Sequence, residues 1–441
     1  DKPNILFILA DDLGYGDVSC YNPESKVQTP HLDRLAREGL LFTDAHSPST
    51  VCTPTRYSIM TGRMAFRLNY RGVFTGVGGP CLIEKERLTL PAMLQQQGYT
   101  TALFGKWHLG AHRDYGPKKQ GFDEFFGIRD GFIDNYNHYF LHGTGFHDLY
   151  EGTTPVRSPG KYFPELMTKR SLAFIDENKD NPFFLYFPLN IPHYPEQAPK
   201  KFGEPFEDMQ DPARKSYATI MYATDHYVGR IVDKIEALGL RRDTILIFMS
   251  DNGHSEETGN RIRVDNHKSG HPKGHFYGAS GGGYTGKWAG QKGSFLEGGI
   301  RVPAIISFPP KLPQGESRDQ VVTSMDWLPT VMELCGIERA KDDPKLDGHS
   351  LLPIIRSEEA ASGYGDLLYF QWHTQWAVRE GEWKLIGREG GKSPGLYRLT
   401  DEKPERKNYA KEKPELVARL LAMRRNWADE VFPEKKPNPK K

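Results

Sequence analysis

The 441-residue chain carries almost no net charge: 58 Lys and Arg stand against 57 Asp and Glu, a formal +1. No global field draws it toward nucleic acid or an anionic membrane, so the basic residues that matter act locally. Cysteine is scarce. Cys20, Cys52, Cys81 and Cys335 form no C-x-x-C pair and no zinc spacing, and they leave room for one disulfide that the spacing does not assign. No apolar run approaches the ~20 residues that a membrane span needs. There is no internal repeat. There is also no initiator Met: the chain opens at Asp1-Lys2-Pro3 and enters a strand at once. That reads as a mature chain whose leader has been removed, with an exported location expected, whether periplasmic, secreted or lysosomal-type.

What is present is a pattern of buried strands and helices. Asn4 to Ala10 (N-I-L-F-I-L-A) is a continuous apolar run, as in a parallel-sheet strand buried on both faces. Pro182 to Leu189 and Thr244 to Met249 read the same way. Helical patterns lie between them: His31 to Glu38, Leu90 to Gln97 before Gly98, and Asp211 to Leu238 before Gly239. Such alternation predicts an α/β sandwich around a mostly parallel central sheet flanked by helices. The composition shifts after about Pro353. Short β-type runs at Leu367–Trp372, Ala377–Arg379, Trp383–Ile386 and Leu396–Arg398 precede a polar helix from about Pro414 to Trp427. The expected division is therefore a large domain over 1–355 and a C-terminal subdomain over 356–441, with a small antiparallel sheet and one helix. The Gly-, His-, Ser- and Lys-rich stretch from Gly253 to Gly290 shows little periodicity, and loops of that length are functional or disordered.

Asp11 and Asp12 directly follow the first strand, and Asp251 with Asn252 follows the Thr244–Met249 strand. Ligand sites in open α/β sheets lie at such carboxyl ends. Adjacent carboxylates repel unless a cation sits between them, and this all-oxygen donor set suits calcium or magnesium rather than zinc. Either pair taken alone could equally cap the following turn. Cys52 opens C-T-P-T-R; Pro54 falls where a helix would start and Arg56 one turn on, an arrangement suited to an anion. A buried structural cysteine before an ordinary helix is the plainer alternative. Lys106 and His108, in G-K-W-H-L-G, sit two apart after the strand-like Tyr99–Phe104 and on an extended segment would share a side. His193 lies between two prolines in N-I-P-H-Y-P, and Lys292 precedes the strand-like Val302–Phe308. Each could be an ordinary surface or core-edge residue. Together they predict cations at the mouth of a carboxylate-rich site.

At this point the residues resemble the type I sulfatases of the alkaline phosphatase superfamily. C-T-P-T-R at 52–56 looks like their signature. N-I-L-F-I-L-A-D-D-L-G-Y-G-D at the start, T-G-R, G-K-W-H-L-G, G-F-D-E-F-F-G, P-F-F-L-Y-F-P-L-N-I-P-H, S-D-N-G, E-G-G-I-R-V-P and A-V-R-E-G-E-W-K-L follow in order over nearly the whole chain. The pattern is most similar to arylsulfatases and N-acetylgalactosamine sulfatases. The resemblance implies an alkaline-phosphatase-like fold and hydrolysis of a sulfate ester, on a sulfated carbohydrate of galactose or N-acetylgalactosamine type. It implies formylglycine at Cys52, made by a formylglycine-generating enzyme, and one calcium ion on Asp11, Asp12, Cys52, Asp251 and Asn252. It also implies that Arg56 supports the formylglycine hydrate and that Lys106, His108, His193 and Lys292 bind sulfate and move protons. On that reading one hydroxyl of the hydrate attacks sulfur while Asp251 takes its proton, His193 with Lys292 protonates the departing alcohol, and His108 deprotonates the second hydroxyl so that sulfate leaves.

Two alternatives remain at this stage: a phosphohydrolase of the same superfamily, and a non-catalytic carbohydrate-binding protein on a dead sulfatase scaffold. The 253–290 loop is expected to have both ends pinned at the active site. His254, His267, His271, Lys273 and His275 are candidates for substrate contact, with a zinc site disfavoured by Gly270, Pro272 and Gly274. Trp372 and His373 would supply the opposite wall.

Overall fold

A computed structural model describes residues 2–74, 80–112, 116–141, 145–256, 281–340 and 343–432. The strands, in chain order, are β1 (Asn4–Asp11), β2 (Leu40–Phe42), β3 (Ala45–His46), β4 (Thr100–Lys106), β5 (Glu124–Ile128), β6 (Tyr150–Glu151), β7 (Thr154–Pro155), β8 (Phe183–Pro192), β9 (Thr244–Ser250), β10 (Ala304–Ser307), β11 (Glu316–Arg318), β12 (Val322–Thr323), β13 (Leu367–Trp372), β14 (Gln375–Glu380), β15 (Trp383–Arg388) and β16 (Gly395–Arg398). The helices are α1 (Pro30–Arg37), α2 (Cys52–Thr61), α3 (Leu90–Gln96), α4 (Phe163–Asn178), α5 (Pro212–Ala237), α6 (Glu297–Ile300), α7 (Trp327–Leu334), α8 (Leu352–Arg356) and α9 (Pro414–Val431).

Ten strands form one sheet in the order β11-β2-β10-β9-β1-β8-β4-β5-β6-β7. The five at its centre, β9-β1-β8-β4-β5, are parallel, and antiparallel pairs join toward both edges. β1 is buried along its whole length because it packs on both faces. Ile5, Phe7 and Leu9 enter one core with residues of α2, α3 and α7. Leu6, Ile8 and Ala10 enter the other with residues of α1, α4 and α5. Each of the larger of these side chains contributes roughly 1.5–3 kcal/mol by leaving water. This is why the run shows no polar alternation.

Register carries the ends of these strands to one place. Ala10 pairs with Ser250 in the parallel β1–β9 ladder, so Asp11 and Asp251 emerge side by side, and the Asp251 N–H donates to Ala10 O at 3.1 Å. On the far side of β8, β4 comes in close at Gly105 (φ +143°). A Cβ there would stand 2.1 Å from Pro188 O, so only glycine fits. The next residue, Lys106, is thereby brought to the sheet's ligand edge.

The C-terminal strands form an antiparallel sheet, β13-β14-β15-β16. One face packs on α9 through Trp376, Val378, Leu385, Leu396 and Leu420. The other packs Leu368, Phe370 and Ala377 against Phe295, Ile300 and Val321 of the larger layer. A buried ion-pair group bolts the two together. Asp44 accepts from Arg379 at 2.7 and 2.6 Å and pairs with Arg301 at 2.7 Å, while Lys384 lies 2.5 Å from Glu297 and 2.7 Å from Glu405. No two of the four cysteines are joined in a disulfide. Among the described residues, no helix is long and apolar enough to cross a membrane.

Candidate active site

Asp11 ends β1 and Asp12 turns off it in the left-handed region (φ +60°). Asn252, just beyond β9, donates from Nδ2 to Asp12 Oδ1 at 2.6 Å, and its own Oδ1 is buried with no hydrogen-bond partner among the described residues. Cys52 is the first residue of α2. Its thiol points at Asp11 Oδ1 (3.5 Å) and Asp12 Oδ1 (3.9 Å). Ligand atoms of Asp11, Asp12, Cys52 and His193 lie within 4.8 Å of one another, all buried. An orphaned amide oxygen beside clustered carboxylates is the donor chemistry of a hard divalent cation. The residues fit such an ion.

Asp251 stands beside this group, with both oxygens engaged. Oδ2 accepts from Arg56 Nη2 at 2.9 Å and Oδ1 from the Asp12 N–H at 3.1 Å. Lys106 Nζ donates to Asp11 Oδ2 at 2.6 Å, and Lys292 Nζ to Asp12 Oδ2 at 2.8 Å. His193 Nε2 is 3.4 Å from the same Asp12 oxygen. His108 pairs its Nε2 with Phe74 O at 2.8 Å.

The expected picture changes in two respects. Lys106 is 0 % exposed, so it is interior rather than at a mouth, and like the buried Arg56 it offsets the neighbouring carboxylates. Lys106 and His108 do not share one extended segment either. β4 stops at Lys106 and His108 has φ +57°, so alternation does not place its ring; the local turn does.

Burial and charge set the titrations. Burial raises Asp11, but Lys106, His193, Arg56 and Lys292 outweigh it and hold this carboxyl well below the usual range. Burial and the Asp11 charge push Asp251 up to about 7, against Arg56 and Lys106. Burial and Asp251 drive the Cys52 thiol well above its ordinary value. Burial and Lys106 hold His108 well below its own, and burial also lowers His193 despite Asp12.

A cavity of about 480 Å³ opens above this cluster. Cys52, His108, His193 and Lys292 line it, with Phe74, Phe132 and Trp372 as aromatic walls and Glu256 and Gln291 at the rim. Trp372 is the C-terminal wall that the sequence suggested. Phe74, Phe132 and Gln291 had no signal beyond sitting near motifs. His373 instead ties its backbone N–H to Arg71 O at 2.7 Å. The ends of the long loop meet here: the Lys292 N–H donates to His254 O at 2.9 Å. His267, His271, Lys273 and His275 lie outside the described residues. Among those described, a larger cavity of about 850 Å³ also exists, floored by Asp44, Arg301 and Arg379. Those charges are spent on one another, and the nearby Asp44–His46–Glu297 group is filled by Arg301 and Lys384 rather than open to a metal.

The sulfatase family pattern matches residues 3–337. The chain belongs to the sulfatase family. This sulfatase also matches, over residues 288–424, the C-terminal region of N-sulphoglucosamine sulphohydrolase. It is 30 % identical over 406 residues to mouse (Mus musculus) N-acetylgalactosamine-6-sulfatase, covering 87 % of this chain and 71 % of that one. It is 32 % identical over 376 residues to Homo sapiens arylsulfatase A, covering 80 % and 68 %. Among solved structures, Ps i-CgsB in complex with k-i-k-neocarrahexaose aligns with a TM-score of 0.81 at 27 % identity, covering 99 % of this chain and 94 % of that one. This sulfatase is a sulfuric ester hydrolase.

Proposed function

We propose that this sulfatase hydrolyses a sulfate ester on a carbohydrate of galactose or N-acetylgalactosamine type, using Cys52 converted to formylglycine and one calcium ion. The observation that carries the reading is the placement of Cys52. It starts a helix at the floor of a cavity, 3.5 Å from Asp11 and beside an unpartnered amide oxygen. Asp11, Asp12, Asp251, Asn252 and residue 52 would hold the calcium, which would supply charge stabilisation for sulfuryl oxygens and acidify a hydroxyl bound to it. The hydrated aldehyde, made by a formylglycine-generating enzyme, would supply one hydroxyl to attack sulfur and a second to release sulfate.

The remaining chemistry belongs to side chains of this chain. Lys106 on Asp11 and Lys292 on Asp12 place fixed positive charge near residue 52, where the sulfuryl oxygens would gather charge. Arg56 holds the Asp251 carboxylate in position to accept the proton of the nucleophile. His108, kept neutral by burial and Lys106, serves as base on the second hydroxyl. His193 is also lowered by burial, but a bound sulfate opposes that and favours the imidazolium that protonates the leaving oxygen.

The sugar reading is supported by the names of the relatives, a hexaose complex among them, and by Trp372, Phe74 and Phe132 around the cavity. The same reading takes 1–355 as catalytic domain and 356–441 as a subdomain that lends Trp372. Mass spectrometry of the Cys52 peptide from the native host, with sulfate release from sulfated galactose and N-acetylgalactosamine, tests it. An unmodified thiol there favours a dead scaffold, and faster turnover of nitrophenyl phosphate than nitrophenyl sulfate favours a phosphohydrolase.

A further inference from the structure

The Asp12 carboxylate is aimed by a backbone that would not hold itself. A non-glycine residue at φ +60° is strained; the Asp12 N–H donates to Asp251 Oδ1 at 3.1 Å, and the ladder pairs of β1 end at Asp11. Two hydroxyls take up the slack. Tyr217, buried on α5, donates its OH to Asp12 O at 2.9 Å and accepts the Gly14 N–H at 3.0 Å. Ser250, the last residue of β9, accepts the Leu13 N–H at 3.1 Å and donates to Asn252 O at 2.9 Å. The carbonyl of Asp12 and the next two N–H groups are thus all clamped, and Ser250 reaches the backbone of Asn252 as well. One turn before Tyr217, Arg214 pairs with the buried Asp17 and donates to Gly282 O at 2.9 Å, so the start of α5 is itself fixed to the 14–17 turn.

We infer that Tyr217 is a positioning residue for the metal site: its hydroxyl locks the left-handed Asp12 turn and so presets the carboxylate that would bind the cation. This rests on the reading of Asp12 and Asn252 as ligands given above. Tyr217 does not line the cavity. A group that orients a ligand through its backbone contributes to ion affinity, because the cost of ordering the ligand is met before the ion arrives.

The experiment is calorimetric titration of calcium alone into the full, metal-stripped chain, comparing wild type with Tyr217→Phe, together with melting in EDTA. The variant keeps the ring and loses only the hydroxyl. The expected result is a ~10–100-fold weaker calcium Kd, a calcium-free Tm close to wild type, and turnover that recovers in excess calcium. An unchanged Kd in a wild type that binds calcium overturns the inference and leaves the metal reading standing. A fall in calcium-free Tm with Kd unchanged overturns it too, since the hydroxyl is then a general fold contact. A wild-type chain that binds no calcium overturns both. Should Tyr217→Phe be too unstable for calorimetry, the calcium concentration needed to raise its Tm, compared with wild type, decides the matter, and an equal concentration dependence overturns the inference.

Discussion

Replacing Lys384 by Met tests how the C-terminal sheet is attached. The ammonium is fully buried, 2.5 Å from Glu297 Oε1, 2.7 Å from Glu405 Oε1 and 2.8 Å from Phe295 O. Met keeps most of the aliphatic stem and removes only the charge. Glu297 retains Arg301 and His46 as partners, whereas among the described residues Glu405 keeps the Glu297 N–H alone. Burial and the Glu297 charge already raise the Glu405 carboxyl, so in the variant it takes up a proton. Breaking a buried pair in this way costs about 3–5 kcal/mol. With ~2.1 cal/mol/K of unfolding entropy per residue, the whole 441-residue chain melting together would lose ~3–5 °C in Tm. If residues 356–441 melt as their own unit, their transition would fall by roughly 17–28 °C while the rest stays put. Differential scanning calorimetry separates these outcomes, and turnover at low temperature should survive because Lys384 does not line the cavity. A Tm change below ~1 °C would refute the reasoning that this pair is both desolvated and needed.

Cys52→Ala and Cys52→Ser should both abolish turnover with the circular dichroism spectrum unchanged, and wild-type turnover by Cys52→Ala would remove its nucleophilic role. Trp372→Ala should raise KM for the best sulfated sugar by about tenfold, ~1.4 kcal/mol, with kcat nearly unchanged; an equal loss in kcat would mean that it shapes the chemistry instead. Chelation should lower both activity and Tm, elemental analysis should return one calcium per chain, and two metals per chain would contradict the single-ion site. Acid should also weaken the fold at Asp44. Burial raises this carboxyl, but Arg301 and Arg379 bring it down to about 2. A depressed acid contributes stability above its unfolded value of about 3.9 and loses it as pH falls toward 2. Arg379→Met should flatten that part of the stability–pH curve in denaturant titrations, and an unaltered slope would show that the pair is not coupled to folding.

The sequence alone determined the chemistry-bearing motifs and the strands that carry them. The run at 4–10 is apolar on both faces because two cores need it, and Asp11 and Asp12 therefore had to leave at its carboxyl end. The C-terminal sheet and its helix were legible too, since their alternation and turns are local properties. Tertiary structure decided the rest. Nothing in G-K-W-H revealed that β4 ends at Lys106, or that His108 turns left-handed to reach Phe74 O. Nothing in D-D or S-D-N-G revealed that Asp251 would be taken up by Arg56 while Asn252 was left with an open oxygen. Tyr217, in mid-sequence on a long helix, bears no mark of its link to Asp12, 205 residues away. Local pattern records which face of an element is buried. Which hydroxyl or guanidinium arrives at a given backbone group depends on parallel register and on how helices cross the sheet, and those are set by pairings between distant segments.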